Sequence, residues 1–162
     1  MIDINIPGYR QVALSHLVVD FNGTLAYDGT LAYDGALREG VKPQLAQLAK
    51  LLDIHVVSGD TYGTANEELH GVPCQIVLLQ AEGQAQAKRE IVQQLGADMT
   101  VAVGNGRNDA PMMALATLSI AVIGTEGTAA ETLANADVVT NNIHAALGML
   151  RHHKRLIATL RS

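Results

Sequence analysis

Asp20 ends the apolar run HLVVD and is followed by FNGTL, where Gly23 lets the chain turn tightly and present N–H groups to an anion. A carboxylate placed there can attack a phosphoryl group. Ser58, in VVSGD, ends a second apolar run, and its hydroxyl, with the Gly59 N–H, can donate to phosphate oxygens. Lys88 stands near the start of a segment with helical spacing, where its cation can neutralise phosphate and nucleophile together. The loop GNGRND, Gly104 to Asp109, brings a second carboxylate, Asp109, to the start of another helix. Two carboxylates and a phosphate need a hard cation between them, so Mg²⁺ is the expected cofactor. Taken singly each signal is weak: a strand-ending Asp or Ser is commonly a cap, and a helix Lys is commonly solvated. The ordered set carries the reading.

These residues need a scaffold that brings strand ends together. Continuous apolar runs of the buried parallel kind end at Asp20, Ser58 and Gly104, and others lie at Gln75 to Leu79, Ser119 to Ile123 and near Asp137. Between them, helical spacing covers Val41 to Leu52, with Pro43 in its first turn, then Thr61 to Leu69, Gln84 to Leu95, Asp109 to Ala116 and Thr128 to Ala134. A last helix is expected from Ile143 to about Leu160, packing through Ile143, Leu147, Leu150, Ile157 and Leu160. The alternation predicts an α/β, Rossmann-like, doubly wound, mainly parallel sheet with its ligand at the carboxyl edge of the strands. IDINI, Pro7-Gly8 and a second short strand near Gln11 to Leu14 read as a β-ribbon at the edge of the domain.

The chain has 162 residues, enough for one domain with a real core. Apolar residues make up 48% and aromatics only 3%, the balance of an aliphatic core between helices. A formal charge of −5 argues against a generic nucleic-acid binder. The lone Cys74 reads as a reduced core residue. No run approaches the roughly 18 to 20 apolar residues of a membrane span, and MIDINIPGYRQ lacks a signal-peptide pattern, so a cytoplasmic protein is expected. The tail residues Arg151, His152, His153, Lys154, Arg155 and Arg161 read first as a solvated helix face.

DFNGTL, VVSGD, Lys88 and VGNGRNDAPMM, in that order, resemble the four motifs of the haloacid dehalogenase (HAD) superfamily of phosphoryl-transfer enzymes. The likeness to the phosphorylation domain of P-type ATPases runs from Asp20 to Val139, yet no transporter spans are present and the interval from Asp20 to Ser58 is too short for a nucleotide-binding domain. The resemblance therefore implies a small soluble member without a cap domain. It implies that Asp20 is the nucleophile of an aspartyl-phosphate mechanism, with Asn22, Ser58 and Lys88 as catalytic neighbours. Gly23, Thr24, Ser58, Gly59 and Lys88 would bind the phosphate, and Mg²⁺ would sit on Asp20, Asn22, Asn105 and Asp109. Two positions depart from the family's phosphatases: Asn22 stands where an Asp acts as acid and base, and Asn105 where an acidic metal ligand is usual. A carboxamide cannot exchange the proton, which is worth typically 10²–10⁴-fold, so slow turnover and weak Mg²⁺ binding are expected, with Asp109 more important than usual.

The hexapeptide TLAYDG occurs twice in tandem, at Thr24 to Gly29 and Thr30 to Gly35. Each copy is a good half-hairpin ending in Asp-Gly, and in this superfamily the residues after the nucleophile form a flap that gates the site. Residues 24–37 are thus expected to be a lengthened flap, with Tyr27 and Tyr33 as candidate substrate contacts. Members without a cap often cover the site with a neighbouring subunit, so a homo-oligomer is expected. The function expected is a Mg²⁺-dependent phosphatase-like hydrolase of a small phosphorylated substrate. The competing reading is a non-catalytic module that keeps the fold and pocket to bind a phosphorylated ligand or a partner.

Overall fold

The computed structural model describes residues 1–28, 35–59 and 63–162. Its centre is a six-stranded sheet of β3 (His16–Asp20), β4 (Asp53–Ser58), β5 (Gln75–Leu78), β6 (Thr100–Gly104), β7 (Leu118–Val122) and β8 (Val138–Thr140), in the order β5-β4-β3-β6-β7-β8. Every pairing is parallel. The chain winds outward from β3 through β4 to β5, then returns to β6 on the other side of β3. That reversal puts the topological switch point between β3 and β6, the place where such sheets bind ligands.

Alternation within each strand sends side chains to two cores. Leu17, Val19, Ile54, Val56, Val101, Val103, Leu118 and Ile120 face one core, while Val18, Val57, Ala102 and Ala121 face the other. Full burial of a Val, Leu or Ile side chain stabilises by about 1.5–3 kcal/mol, so these runs have no stable alternative at the surface. The first core is covered by α1 (Val41–Leu48), α6 (Ile143–Arg151) and α7 (His153–Leu160) through Leu45, Leu147 and Leu156. The second is covered by α3 (Gln84–Leu95) and α4 (Ala110–Leu115) through Val92, Met112 and Met113, with Leu133 of α5 (Ala130–Ala134) packed against them. A short α2 (Thr64–Glu68) joins β4 to β5.

The N-terminal ribbon is present as β1 (Ile2–Ile6) antiparallel to β2 (Arg10–Leu14). It forms a sheet of its own, and its alternation buries Ile2, Ile4, Ile6, Val12 and Leu14 in the first core. An ion pair of 2.8 Å from Arg10 to Asp137 ties it to the start of β8.

Three expectations are corrected. The last helix is two, α6 and α7, broken at His152, whose φ of −118° and ψ of 76° leave the helical region. At 3.6 residues per turn Leu156 would point about 120° away from Leu150, and the break lets both reach the core, where both are 0% exposed. Cys74 is only half-buried, at the rim of the core, because β5 is an edge strand. The first helix is shorter than its periodicity suggests, ending at Leu48, and the second runs from Thr64 after a left-handed Gly63, while the expected start at Thr61 lies outside the described residues.

Candidate active site

β3, β4 and β6 deliver their last residues side by side: Asp20 pairs in register with Val57, one residue before Ser58, and β6 ends at Gly104 on β3's other flank. Gly23, at φ 77°, turns the chain after β3 in a conformation that favours glycine. A Cβ on it would meet the Asn105 carboxamide at 2.8 Å, so the glycine also lets the loops after β3 and β6 touch. Gly104 serves likewise, since a Cβ there would lie 2.5 Å from the Asp109 carboxylate.

Lys88, from the second turn of α3, reaches under the sheet edge and is 1% exposed. Its Nζ donates to Asp20 Oδ1 and to Asp109 Oδ1, both at 2.6 Å, and to Asn108 Oδ1 at 3.4 Å. The other Asp109 oxygen accepts the backbone N–H groups of Asn105 and Gly106, each at 2.9 Å. Asp109 thus clasps its own loop and holds Lys88, with both oxygens engaged. The loop is pinned again by α5 and its lead-in, through Thr132 Oγ1 to Gly106 O at 2.6 Å and Ala129 N to Asn105 O at 2.9 Å.

Asp20 is 6% exposed, and its Oδ2 lies 3.1 Å from Thr24 Oγ1. The same hydroxyl is 3.1 Å from Asn105 Oδ1, so one proton is shared between two acceptors. Ser58 Oγ donates to Asn22 Oδ1 at 3.2 Å. Gly59 lies against Gln84, whose Oε1 accepts from Asn108 at 3.0 Å. Asp20, Asn22, Gly23, Thr24, Ser58, Gly59, Lys88, Asn105 and Asp109 therefore form one connected cluster, while Tyr33 lies outside the described residues.

One cation between two carboxylates leaves a negative charge in excess. Burial, then the Asp109 charge, push the Asp20 carboxyl up from 3.8 to about 7 against the pull of Lys88 and Thr24. Burial disfavours the Lys88 cation as well, but the two carboxylates outweigh that and hold its pKa above the ordinary value. The two shifts are compatible because Lys88 gains from both anions whereas Asp20 gains from one cation and loses from Asp109. A positive charge or an electrophilic phosphorus beside Asp20 relieves the excess.

The flap begins as a hairpin. Ala26 bridges Leu37 in antiparallel sense, Tyr27 N–H donates to Ala36 O at 3.0 Å, and Gly35 N–H to Tyr27 O at 2.8 Å. Two residues that sequence reasoning missed act around it. Arg38 lies over the Tyr27 ring at 4.4 Å and pairs with Glu126 at 3.0 Å, and Glu126 also accepts the Asp28 N–H at 3.1 Å. A third missed residue, Asn108, the second asparagine of GNGRND, acts away from the flap, on Lys88 and Gln84. Tyr27 and Arg38 line a cavity of about 610 Å³ with Ile123, Asn141, Asn142 and His144. The cavity lies beyond Gly124, which approaches the Gly23 carbonyl, and is lined by none of the residues that touch Asp20.

No protein-family model matches the chain. An uncharacterized protein of Methanocaldococcus jannaschii is 43% identical over 61 residues, 38% of this chain and 66%, just under two thirds, of that protein. Among solved structures, the cobalt-bound deoxy-D-mannose-octulosonate 8-phosphate phosphatase of Haemophilus influenzae matches with a TM-score of 0.71 at 18% identity, over 92% of this chain and 94% of that one. The 3-deoxy-D-manno-octulosonate 8-phosphate phosphatase of Moraxella catarrhalis, in complex with magnesium, phosphate and the sugar acid, matches at 0.69 and 14%, over 91% and 94%. A HAD superfamily (subfamily III A) hydrolase structure from Legionella pneumophila, itself of provisional assignment, matches at 0.71 and 15%, over 91% and 87%. The fold is that of the HAD superfamily of hydrolases. Among the described residues no helix is long and apolar enough to cross a membrane.

Proposed function

We propose that the protein is a Mg²⁺-dependent phosphatase-like hydrolase that passes a phosphoryl group through Asp20. The observation that carries this is the Asp20–Lys88–Asp109 trio at the switch point of the sheet, ringed by Thr24, Ser58 and Asn22. The fold shared with phosphatases whose structures hold magnesium or cobalt supports it.

Asp20 Oδ attacks phosphorus, and the leaving oxygen departs from the opposite side. Lys88 holds Asp20 in place and offsets charge as the phosphoryl group arrives, while Ser58, Thr24 and the turn at Gly23 orient its oxygens. Water then attacks the phosphorus of the aspartyl phosphate, releasing phosphate and the Asp20 carboxylate. The donor set suits Mg²⁺: Asp20 and Asn105 face each other through Thr24 as hard oxygen donors, and the Asn22 carbonyl is a candidate third. The set is short of charge, since Asp109 is already engaged by Lys88 and two N–H groups, so substrate phosphate would complete the ligand sphere. When bound, the ion would neutralise phosphate charge and relieve the burden on Asp20. The flap root and the adjoining cavity would take the organic part of a small substrate, with Tyr27 as a contact; a neighbouring subunit would help to cover it.

Purified protein with Mg²⁺ should release phosphate from p-nitrophenyl phosphate, and Asp20→Asn should abolish the release. Activity retained by Asp20→Asn would refute the mechanism. The neutral Asn22 and Asn105 favour one rival, a phosphate-binding module without turnover. Calorimetric binding of Mg²⁺ and phosphate, with no release across a broad panel of phosphorylated compounds, would favour that rival.

A further inference from the structure

Which proton donors could serve a departing group is answerable from the side chains around Asp20. Lys88 spends its three N–H bonds on Asp20, Asp109 and Asn108 and is shut off from solvent. Asp109 is 0% exposed, with both oxygens engaged. Thr24 and Ser58 are hydroxyls directed at Asp20, Asn105 and Asn22. The remaining polar side chains of the cluster among the described residues are carboxamides: Asn22, Asn105 and, on Lys88, Asn108. With Asn22 Oδ1 accepting from Ser58, the polar hydrogens of that side chain are amide N–H, which can hydrogen-bond a departing oxygen and cannot give it a proton. Among the described residues, every ionisable group in hydrogen-bond contact with Asp20 is thus already committed.

We infer that this site takes its phosphoryl group from acyl phosphates, mixed anhydrides whose carboxylate leaves without a proton, and not from alkyl phosphate monoesters such as sugar phosphates. The inference rests on the phosphoryl-transfer reading of Asp20 above. In the first step the Asp20 Oδ–P bond forms and the bond from phosphorus to the acyl oxygen breaks; the electron pair leaves on a carboxylate, a weak base stable at neutral pH. An alkyl ester would have to expel an alkoxide, whose basicity demands the proton that Asn22 cannot supply. In the second step water forms the new P–O bond, the Asp20 carboxylate leaves with the electron pair, and the proton lost by water passes to solvent or to the phosphate formed. Among the described residues none in hydrogen-bond contact with Asp20 is placed to take that proton, so the aspartyl phosphate accumulates. The substrate class would separate this protein from the two octulosonate 8-phosphate phosphatases that share its fold.

The test measures kcat/KM with Mg²⁺ for acetyl phosphate, a series of aryl phosphates of rising phenol pKa, and glycerol 3-phosphate. Wild type should fall steeply with leaving-group basicity and should show an initial burst of one leaving group per site. Asn22→Asp should narrow the gap between acetyl phosphate and glycerol 3-phosphate by about 10²-fold or more, the low end of what acid–base help supplies. Asn22→Thr, which has no acid of that strength, should keep the steep dependence and guards against a folding defect in the Asp variant. A shallow dependence in wild type would overturn the inference; if Asp60→Asn then made it steep, Asp60, outside the described residues, would be the acid. A steep dependence unchanged by Asn22→Asp would overturn it too, because Asn22 would not face the leaving group. Failure of the underlying reading is distinct: phosphate release that survives Asp20→Asn.

Discussion

The two ends of the same parallel sheet bury polar residues for different ends. At the carboxyl edge Asp20, Lys88 and Asp109 form a trio with more negative than positive charge, and charging Asp20 there costs stability. Towards the amino edge the buried polar groups are neutral or locally satisfied. Thr100 Oγ1 donates to Gly96 O at 2.7 Å, and His55, 5% exposed, lies 3.4 Å from His16, which faces Asp53 at 3.8 Å. Burial, then the neighbouring His16, lower the His55 pKa, so that ring is neutral in the fold. One edge holds charge that a ligand could relieve. The other has nothing to gain from one, which is why the chemistry is expected at one end only.

The largest break in this contrast should come from Asp20→Asn. Phosphate release should drop to background while the metal-free protein becomes more stable at pH 8, by at least about 1 kcal/mol, in a urea titration. The sign follows from the raised pKa. Asp20 contributes stability that is full below 3.8 and lost as pH rises through about 7, and the amide removes that loss. Lys88→Met should act oppositely on stability, leaving two buried carboxylates uncompensated and costing about 3–5 kcal/mol at pH 7. Mg²⁺ should recover part of it, as read by a thermal melt with and without chelator.

At the amino edge His55→Leu should leave phosphate release unchanged and sharpen the comparison through pH. A His with a lowered folded pKa contributes stability that is present above 6.5 and lost as pH falls through the folded value. Wild type should therefore lose stability below pH 6.5 relative to His55→Leu, the opposite slope from Asp20, and matched melts from pH 5 to 8 would reveal both. The smallest effect belongs to the flap. Deleting Thr30 to Gly35 removes one copy of the repeat, and circular dichroism and the melting midpoint should barely move. A large loss of stability would mean that the repeat packs into the fold.

Much of the carboxyl edge was legible because its residues sit where apolar runs stop. Six runs became six parallel strands, and Asp20, Ser58 and the Gly104 loop met because consecutive strand ends in such a sheet must converge. Local pattern could not supply partners distant in sequence. The Arg38–Glu126–Asp28 strap joins the flap root to the loop after β7, and neither end has a periodic or motif signal. Asn108 has no signal of its own beside the Asp109 carboxylate, because its partners Lys88 and Gln84 are distant in sequence. The break at His152 was invisible to periodicity because Leu150 and Leu156 each fit a helix face, only not the same one.

The central claim is that Asp20 carries the phosphoryl group, and the intermediate itself tests it most directly. Protein mixed with acetyl phosphate and Mg²⁺, quenched in acid and mapped by peptide mass spectrometry, should hold a phosphoryl group on Asp20 that is absent from Asp20→Asn. Release of phosphate with no adduct on Asp20 at any quench time, or an adduct that survives in Asp20→Asn, would contradict it.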